Sequence, residues 1–123
     1  MWIRTFNKLK FKNLKLINGG KTRADSAYKA LKIIKRLKIK NVLIHDAARP
    51  NFSLNLIKKI LDESKKNETI VPILKIQDAL KQKKGGDKFL NLSRSNFFLT
   101  QTPQCFNSKK IFNLHKKNKT NYN

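Results

Sequence analysis

Acidic residues are scarce. Asp and Glu number 7 among 123 residues, against 29 Lys and Arg, for a formal charge of +22. Such a one-signed chain suits an anionic partner: nucleic acid, a membrane surface or a phosphorylated small molecule. Cysteine is nearly absent. Cys105 stands alone, which excludes an intramolecular disulfide and fits a reducing compartment. Long apolar runs are also missing, and none approaches the roughly 20 residues that span a bilayer. The opening Met1-Trp2-Ile3-Arg4 gives way to polar and basic residues, without the apolar block and cleavage site of a secretory signal. The expectation is a cytoplasmic protein with no membrane contact. Arginine is scarce too: 24 of the cations are Lys and 5 are Arg, beside 14 Asn and 12 Ile. Lys, Asn and Ile share A/T-rich codons, so most of the charge reads as base composition. A nucleic-acid binder more often uses the bidentate fork of Arg, which leaves RNA or DNA the less favoured anion.

The length suits one small domain spanning residues 1–123, large enough to hide about two-thirds of its unfolded surface. Asn13 to Asn18 is a short apolar run stopped by Gly19-Gly20, which predicts a strand entering a tight turn. Ala27, Ala30, Leu31, Ile34 and Leu37 recur at steps of three and four, the mark of an amphipathic helix. Thr22, Asp25 and Ser26 are placed to cap it. Asn41 to His45 is a continuous apolar run, which predicts a strand buried on both faces. Leu54, Ile57, Ile60 and Leu61 predict a second helix capped by Ser53. Thr69 to Leu74 predicts a third strand, with Pro72 marking an edge or bulge. This alternation favours a parallel α/β sheet with right-handed crossovers. Beyond it, 76–93 reads as a hairpin arm with the polar tip Lys83 to Asp87, Phe97 to Thr100 as a strand, and Asn107 to Lys117 as a helix. Residues from about 118 to 123 read as a frayed tail.

Ligands of open α/β sheets gather at the carboxyl ends of strands, which singles out two loops. Gly19-Gly20 opens a helix, where backbone N–H groups and the positive dipole end suit an anion. On spacing alone such a glycine pair is usually just a turn, and it lacks the Gly-Lys-Ser/Thr ending of a nucleotide-hydrolase phosphate loop. In His45-Asp46-Ala47-Ala48-Arg49-Pro50 the alanines leave room for a ligand. Asp46 can take hydroxyls or a metal's waters, and Arg49 can take phosphate. Alternatively the two side chains satisfy each other and pin the loop. His45, at the strand end, reads as a packed or supporting residue rather than a catalyst. His115 reads as solvated and Cys105 as a small buried hydrophobe. Arg94, and the polar stretch Thr100 to Gln104, sit where oxyanion recognition would be useful.

Four segments in this order resemble one family. They are Gly19-Gly20 with Arg23-Ala24-Asp25-Ser26, then Val42 to Pro50, then Asp78-Ala79-Leu80-Lys81, then Thr100-Gln101-Thr102-Pro103-Gln104-Cys105-Phe106. The family is 2-C-methyl-D-erythritol 4-phosphate cytidylyltransferase. Ribitol-phosphate cytidylyltransferases look similar but tend to carry Val at the position of Ala48. The resemblance implies a Rossmann-like nucleotide-diphospho-sugar transferase fold with a β-hairpin arm. It implies cytidylyl transfer from CTP to methylerythritol phosphate, with Mg2+ neutralising the triphosphate. By motif, Gly20, Ser26 and Ala47 line the cytidine pocket, Asp46 and Arg49 face the sugar phosphate and reacting phosphates, and Arg94 positions methylerythritol phosphate. The arm implies a homodimer.

The resemblance also has departures. The family carries an Ala-Ala-Gly-x-Gly-x-Arg loop followed by Pro-Lys, and a late Lys-bearing strand, and neither is found here. Lys21 replaces a usually acidic residue, and Ala79 stands where Thr is frequent. The expectation is a truncated, cytidylyltransferase-like chain whose activity alone is impaired. The rival expectations are a non-catalytic basic module for RNA and a non-catalytic dimer partner.

Overall fold

Two of the helices begin where a short hydroxyl side chain, Thr22 or Ser53, takes a free backbone N–H group. The computed structural model describes residues 14–120, with the side chains of 119 and 120 left aside. Its elements in chain order are α1 (Arg23–Arg36), β1 (Asn41–Ile44), α2 (Leu54–Glu63), β2 (Thr69–Ile70), β3 (Ile73–Lys75), β4 (Leu80–Gly85), β5 (Lys88–Leu92), a 3-10 turn (Arg94–Asn96), β6 (Phe98–Thr100), β7 (Gln104–Asn107) and α3 (Ser108–Thr120). Two compact units result: residues up to Ile39 together with those from Ser108 onward, and Lys40–Asn107. Among the described residues no helix is long and apolar enough to cross a membrane.

The first unit pairs α1 with α3. Thr22 caps α1 by accepting from the Asp25 N–H. Asp25 in the first turn and Lys35 and Arg36 in the last complement the helix dipole. Tyr28 and Leu31 are buried, and so is Phe112 of α3. The Tyr28 and Phe112 rings stack 5.5 Å apart. Two lysines lie over this aromatic pair, Lys32 Nζ 4.9 Å from the Tyr28 centroid and Lys35 Nζ 4.6 Å from that of Phe112. The α1 terminus closes through Leu37 N–H to the Ile34 carbonyl, and Lys38 follows with φ 53. The Ser108 hydroxyl donates to the Ile39 carbonyl, which joins the unit's two chain segments.

The strand expected at Asn13–Asn18 does not form; Asn13 lies outside the described residues and 14–18 carry no strand. Leu14, Leu16 and Ile17 stay substantially exposed. A strand needs a neighbour for its N–H and C=O groups, and no described strand pairs with this segment. The expected helix beginning at Asn107 starts at Ser108 and continues to Thr120.

The second unit departs from the expected parallel sheet. Its main sheet has the order β1-β7-β2, and β7 runs antiparallel to both neighbours. The strands that the alternation sets side by side are therefore separated by one that arrives late in the chain. That strand, β7, sits in a stretch whose Thr-Gln-Thr-Pro-Gln start reads as a polar loop. β1 lies at the sheet edge among the described strands, so Leu43 is half-exposed rather than buried on both faces. Val42, Ile60 and Cys105 form the unit's buried apolar core. Ser53 caps α2 by accepting from the Leu56 N–H. At the other end, the Ser64 hydroxyl reaches the Cys105 thiol on β7. Burial pushes that thiol's pKa up, against the lowering effect of its hydrogen bonds to Phe106 and Ser64.

The single strand expected over Thr69–Leu74 is split by Pro72 into β2 and β3, which belong to different sheets. Proline offers no N–H to a ladder. The opposing strand breaks at the same place: β2 pairs with β7 and β3 with β6, and the Gln101 N–H bridges the gap to the Pro72 carbonyl at 2.8 Å. The expected hairpin is present but shorter, with β4 and β5 paired from Leu80↔Leu92 to Gly85↔Lys88 and a register shift between Lys83 and Gly85. Gly85 (φ 135) and Gly86 (φ 52) take the left-handed turn, where other residues would be strained.

Candidate functional site

Antiparallel register decides which loops meet. Ile44 pairs with Gln104, so the C-terminal end of β1 adjoins the N-terminal end of β7. The loops running out of those ends, Asp46–Pro50 and Gln101–Pro103, become neighbours although they are more than fifty residues apart in sequence. The first closes as a turn, with Arg49 N–H donating to the Asp46 carbonyl at 2.9 Å. Arg49 Nε lies 3.6 Å from an Asp46 carboxylate oxygen, and both side chains are partly exposed. The Arg49 guanidinium also donates to Gln101 Oε1 at 2.8 Å. Gln101 is anchored from behind, because its carbonyl accepts from the Gln104 side chain and its N–H is held by Pro72. Ala47 and Ala48 are exposed at the turn's crest.

Of the two readings of the Asp46–Arg49 pair, the contact that pins the loop is present. The pair does hold the loop, but it is solvent-reached and not closed on itself. At 3.6 Å it is a loose contact, and the guanidinium keeps donors for a second anion. Gln101 and Thr102 belong to this cluster, and the sequence marked them only as a polar stretch. Their signal lies in the register of β7, which single-chain periodicity does not carry.

Arg94 lies elsewhere in the unit, in the 3-10 turn after β5. Its guanidinium donates to the Gln77 carbonyl across the base of the arm. A cleft of about 250 Å³ there is lined by Lys75, Ile76, Arg94, Ser95, Phe97 and Phe98. Two cations on an apolar floor suit a small anion with a hydrocarbon part.

The glycine loop belongs to the other unit. Gly20 N–H donates to Ser26 Oγ at 2.9 Å, and that hydroxyl donates to the Thr22 carbonyl at 3.0 Å. Ser26 therefore ties the loop to the first turn of α1. Lys29 Nζ grips the Gly19 carbonyl at 2.7 Å. A Cβ on Gly20 would stand 2.1 Å from Asp25 Cβ, so only glycine fits this approach.

Among the described residues no group of three or more His, Cys, Asp or Glu could hold a metal ion. The one carboxylate of the 46–50 loop suits a cation carried mainly by substrate phosphates, not one caged by protein. A second, wide cleft of about 550 Å³ on the first unit is lined by Lys32, Lys35, Arg36, Lys38 and Phe112.

Comparison with known proteins points one way. Residues 3–123 match the family model of IspD, 2-C-methyl-D-erythritol 4-phosphate cytidylyltransferase. Over 107 residues the chain is 54% identical to the bifunctional enzyme IspD/IspF of Pelagibacter ubique, covering 87% of this chain and 29% of that protein. It is 36% identical to the 2-C-methyl-D-erythritol 4-phosphate cytidylyltransferase of Clostridium kluyveri, covering 86% of this chain and 46% of the relative. The crystal structure of 4-diphosphocytidyl-2C-methyl-D-erythritol synthase from Anaerococcus prevotii superposes with a TM-score of 0.84 at 26% identity, over 97% of this chain and 54% of that one. The expected α/β nucleotidyltransferase-like fold therefore stands. The chain spans about half, or less, of the length of these proteins.

Proposed function

The chain belongs to the 2-C-methyl-D-erythritol 4-phosphate cytidylyltransferase family, and on that premise we propose that it serves cytidylyl transfer from CTP to methylerythritol phosphate. A phosphate oxygen of the sugar phosphate attacks the α-phosphorus of CTP. A new P–O bond forms, the bond to the β-phosphate breaks, and pyrophosphate leaves with 4-diphosphocytidyl-2-C-methyl-D-erythritol as the other product. Such a reaction asks for positioning and charge stabilisation more than for a covalent nucleophile.

One observation carries the reading: Asp46 and Arg49 share a solvent-reached turn at the end of β1, braced by Gln101 from the β7 side. In the proposal, Arg49 takes phosphate oxygens and Asp46 takes hydroxyls or the waters of a magnesium ion. Mg2+ supplies charge neutralisation on the triphosphate when it is bound. Arg94 orients the sugar phosphate from its cleft. Ala47 serves the cytidine side; within the first unit, Gly20 and Ser26 hold their own loop through their mutual hydrogen bond. We further propose a homodimer formed through the arm, supported by the exposure of Phe89 (58%) and Leu90 (47%) on β5. A two-stranded ribbon of this kind gains stability when it is covered. A cytoplasmic location fits the free Cys105.

The reading is tested by titrating methylerythritol phosphate into the purified chain and into Arg49→Ala, followed by calorimetry. Charge-assisted hydrogen bonds contribute about 1.5–3 kcal/mol, so the variant should bind roughly ten- to a hundredfold more weakly. Equal binding by the two proteins, or none by the wild type at millimolar ligand, would sink it. The rival basic module draws on the lysine-lined cleft of the first unit. It predicts RNA binding with a steep salt slope, and RNA in the same titration tells the two apart.

A further inference from the structure

The His45 imidazole stands between the two loops of the second unit and contacts both. Its Nε2 lies 2.7 Å from the Arg49 carbonyl oxygen. Its Nδ1 lies 2.9 Å from Thr102 Oγ1. The Asp46 N–H donates to that same Thr102 oxygen at 3.3 Å. A backbone carbonyl can only accept, so Nε2 must carry the proton. In the neutral form of the ring Nδ1 is then bare and accepts from the Thr102 hydroxyl. Donation therefore runs in one direction, from the Asp46 N–H through the Thr102 hydroxyl to Nδ1, and from Nε2–H to the Arg49 carbonyl. Thr102 is buried, and a buried hydroxyl without a partner is unfavourable. Phe52 braces the ring edge-on, with centroids 4.7 Å apart. Both ends of the 46–49 turn thus hang on the loop that precedes β7, the Arg49 carbonyl through the imidazole and the Asp46 amide through the Thr102 hydroxyl, which the imidazole orients.

We infer that His45 is a positioning residue: held with its proton on Nε2, it sets where the Asp46 carboxylate and the Arg49 guanidinium stand toward a sugar phosphate. The ligand part of this rests on the function proposed above; the tautomer part stands on the geometry alone. His45 touches no reacting atom in this scheme and acts through the turn it suspends.

Two measurements on the purified chain test it. A long-range 1H–15N spectrum of the histidine rings should show His45 with Nε2 protonated and Nδ1 accepting. Thr102→Val should move the Nδ1 resonance, whereas Thr102→Ser, which keeps the hydroxyl, should leave it near its wild-type position. Calorimetry with methylerythritol phosphate should show Thr102→Val and His45→Ala weakened by about ten- to a hundredfold, the scale on which losing the groups that orient metal ligands weakens a metal site. Thr102→Ser should bind within about twofold of wild type. A proton found on Nδ1, or a Thr102→Val or His45→Ala protein that folds and binds as wild type, overturns the inference. Absence of binding by the wild type overturns the proposed function instead, and the ring tautomer with its response to Thr102→Val then decides the role of His45.

Discussion

Gly20 admits no side chain. A methyl group there would overlap Asp25 Cβ at 2.1 Å and the Asp25 backbone carbon at 2.9 Å. Both atoms belong to the capped first turn of α1, which cannot move without breaking the Thr22 bonds. Gly20→Ala should therefore lower stability by about 1–3 kcal/mol, as overpacking of a tight site does. The urea midpoint measures it, and an unchanged midpoint would show that the loop yields. At this scale much was legible in the residues. Thr22 and Ser53 sit where short hydroxyl side chains precede periodic apolar residues, and both cap their helices. Asp46 and Arg49 were marked by opposite charge on a tight loop, and they do meet. Gln101 and Thr102 were not legible as partners of that loop, because their contacts span 52 and 57 residues.

Elements follow local chemistry as far as their ends. α1 closes with Lys38 in the left-handed region at φ 53, a conformation that disfavours a residue with a Cβ by about 1–2 kcal/mol. Lys38 is exposed, so replacing it removes no packing. Lys38→Gly should raise stability by about 0.5–1 kcal/mol, less than the full strain because glycine also frees the unfolded chain. Thermal or urea unfolding checks it, and a loss of stability would contradict it. Both central helices were readable because their apolar periodicity is a property of one segment. Strands were less so. Val71-Pro72 divides one expected strand between two sheets, since proline interrupts the ladder. β7 begins in polar residues, and it becomes a central strand only because β1 and β2 flank it.

For the whole molecule, charge is the dominant fact. With 29 Lys and Arg against 7 Asp and Glu, for a formal +22, self-repulsion opposes the folded state. Raising sodium chloride from about 0.01 M to about 0.1 M shortens the screening length from about 30 Å to about 10 Å. The melting temperature should rise by a few degrees, as for about 1 kcal/mol in a chain of this size; a flat or falling profile would count against repulsion. Family motifs lie in short contiguous blocks, so the family, the helices, the turn residues and the suspect loops were all determined by sequence alone. Such features depend on neighbours within one or two turns of chain. Tertiary structure alone decided that β7 enters antiparallel between β1 and β2. That register brings Thr102 to His45 and Gln101 to Arg49. These contacts join segments that share no local pattern, and they exist only once the backbone N–H and C=O groups of β1 have found their partners on β7.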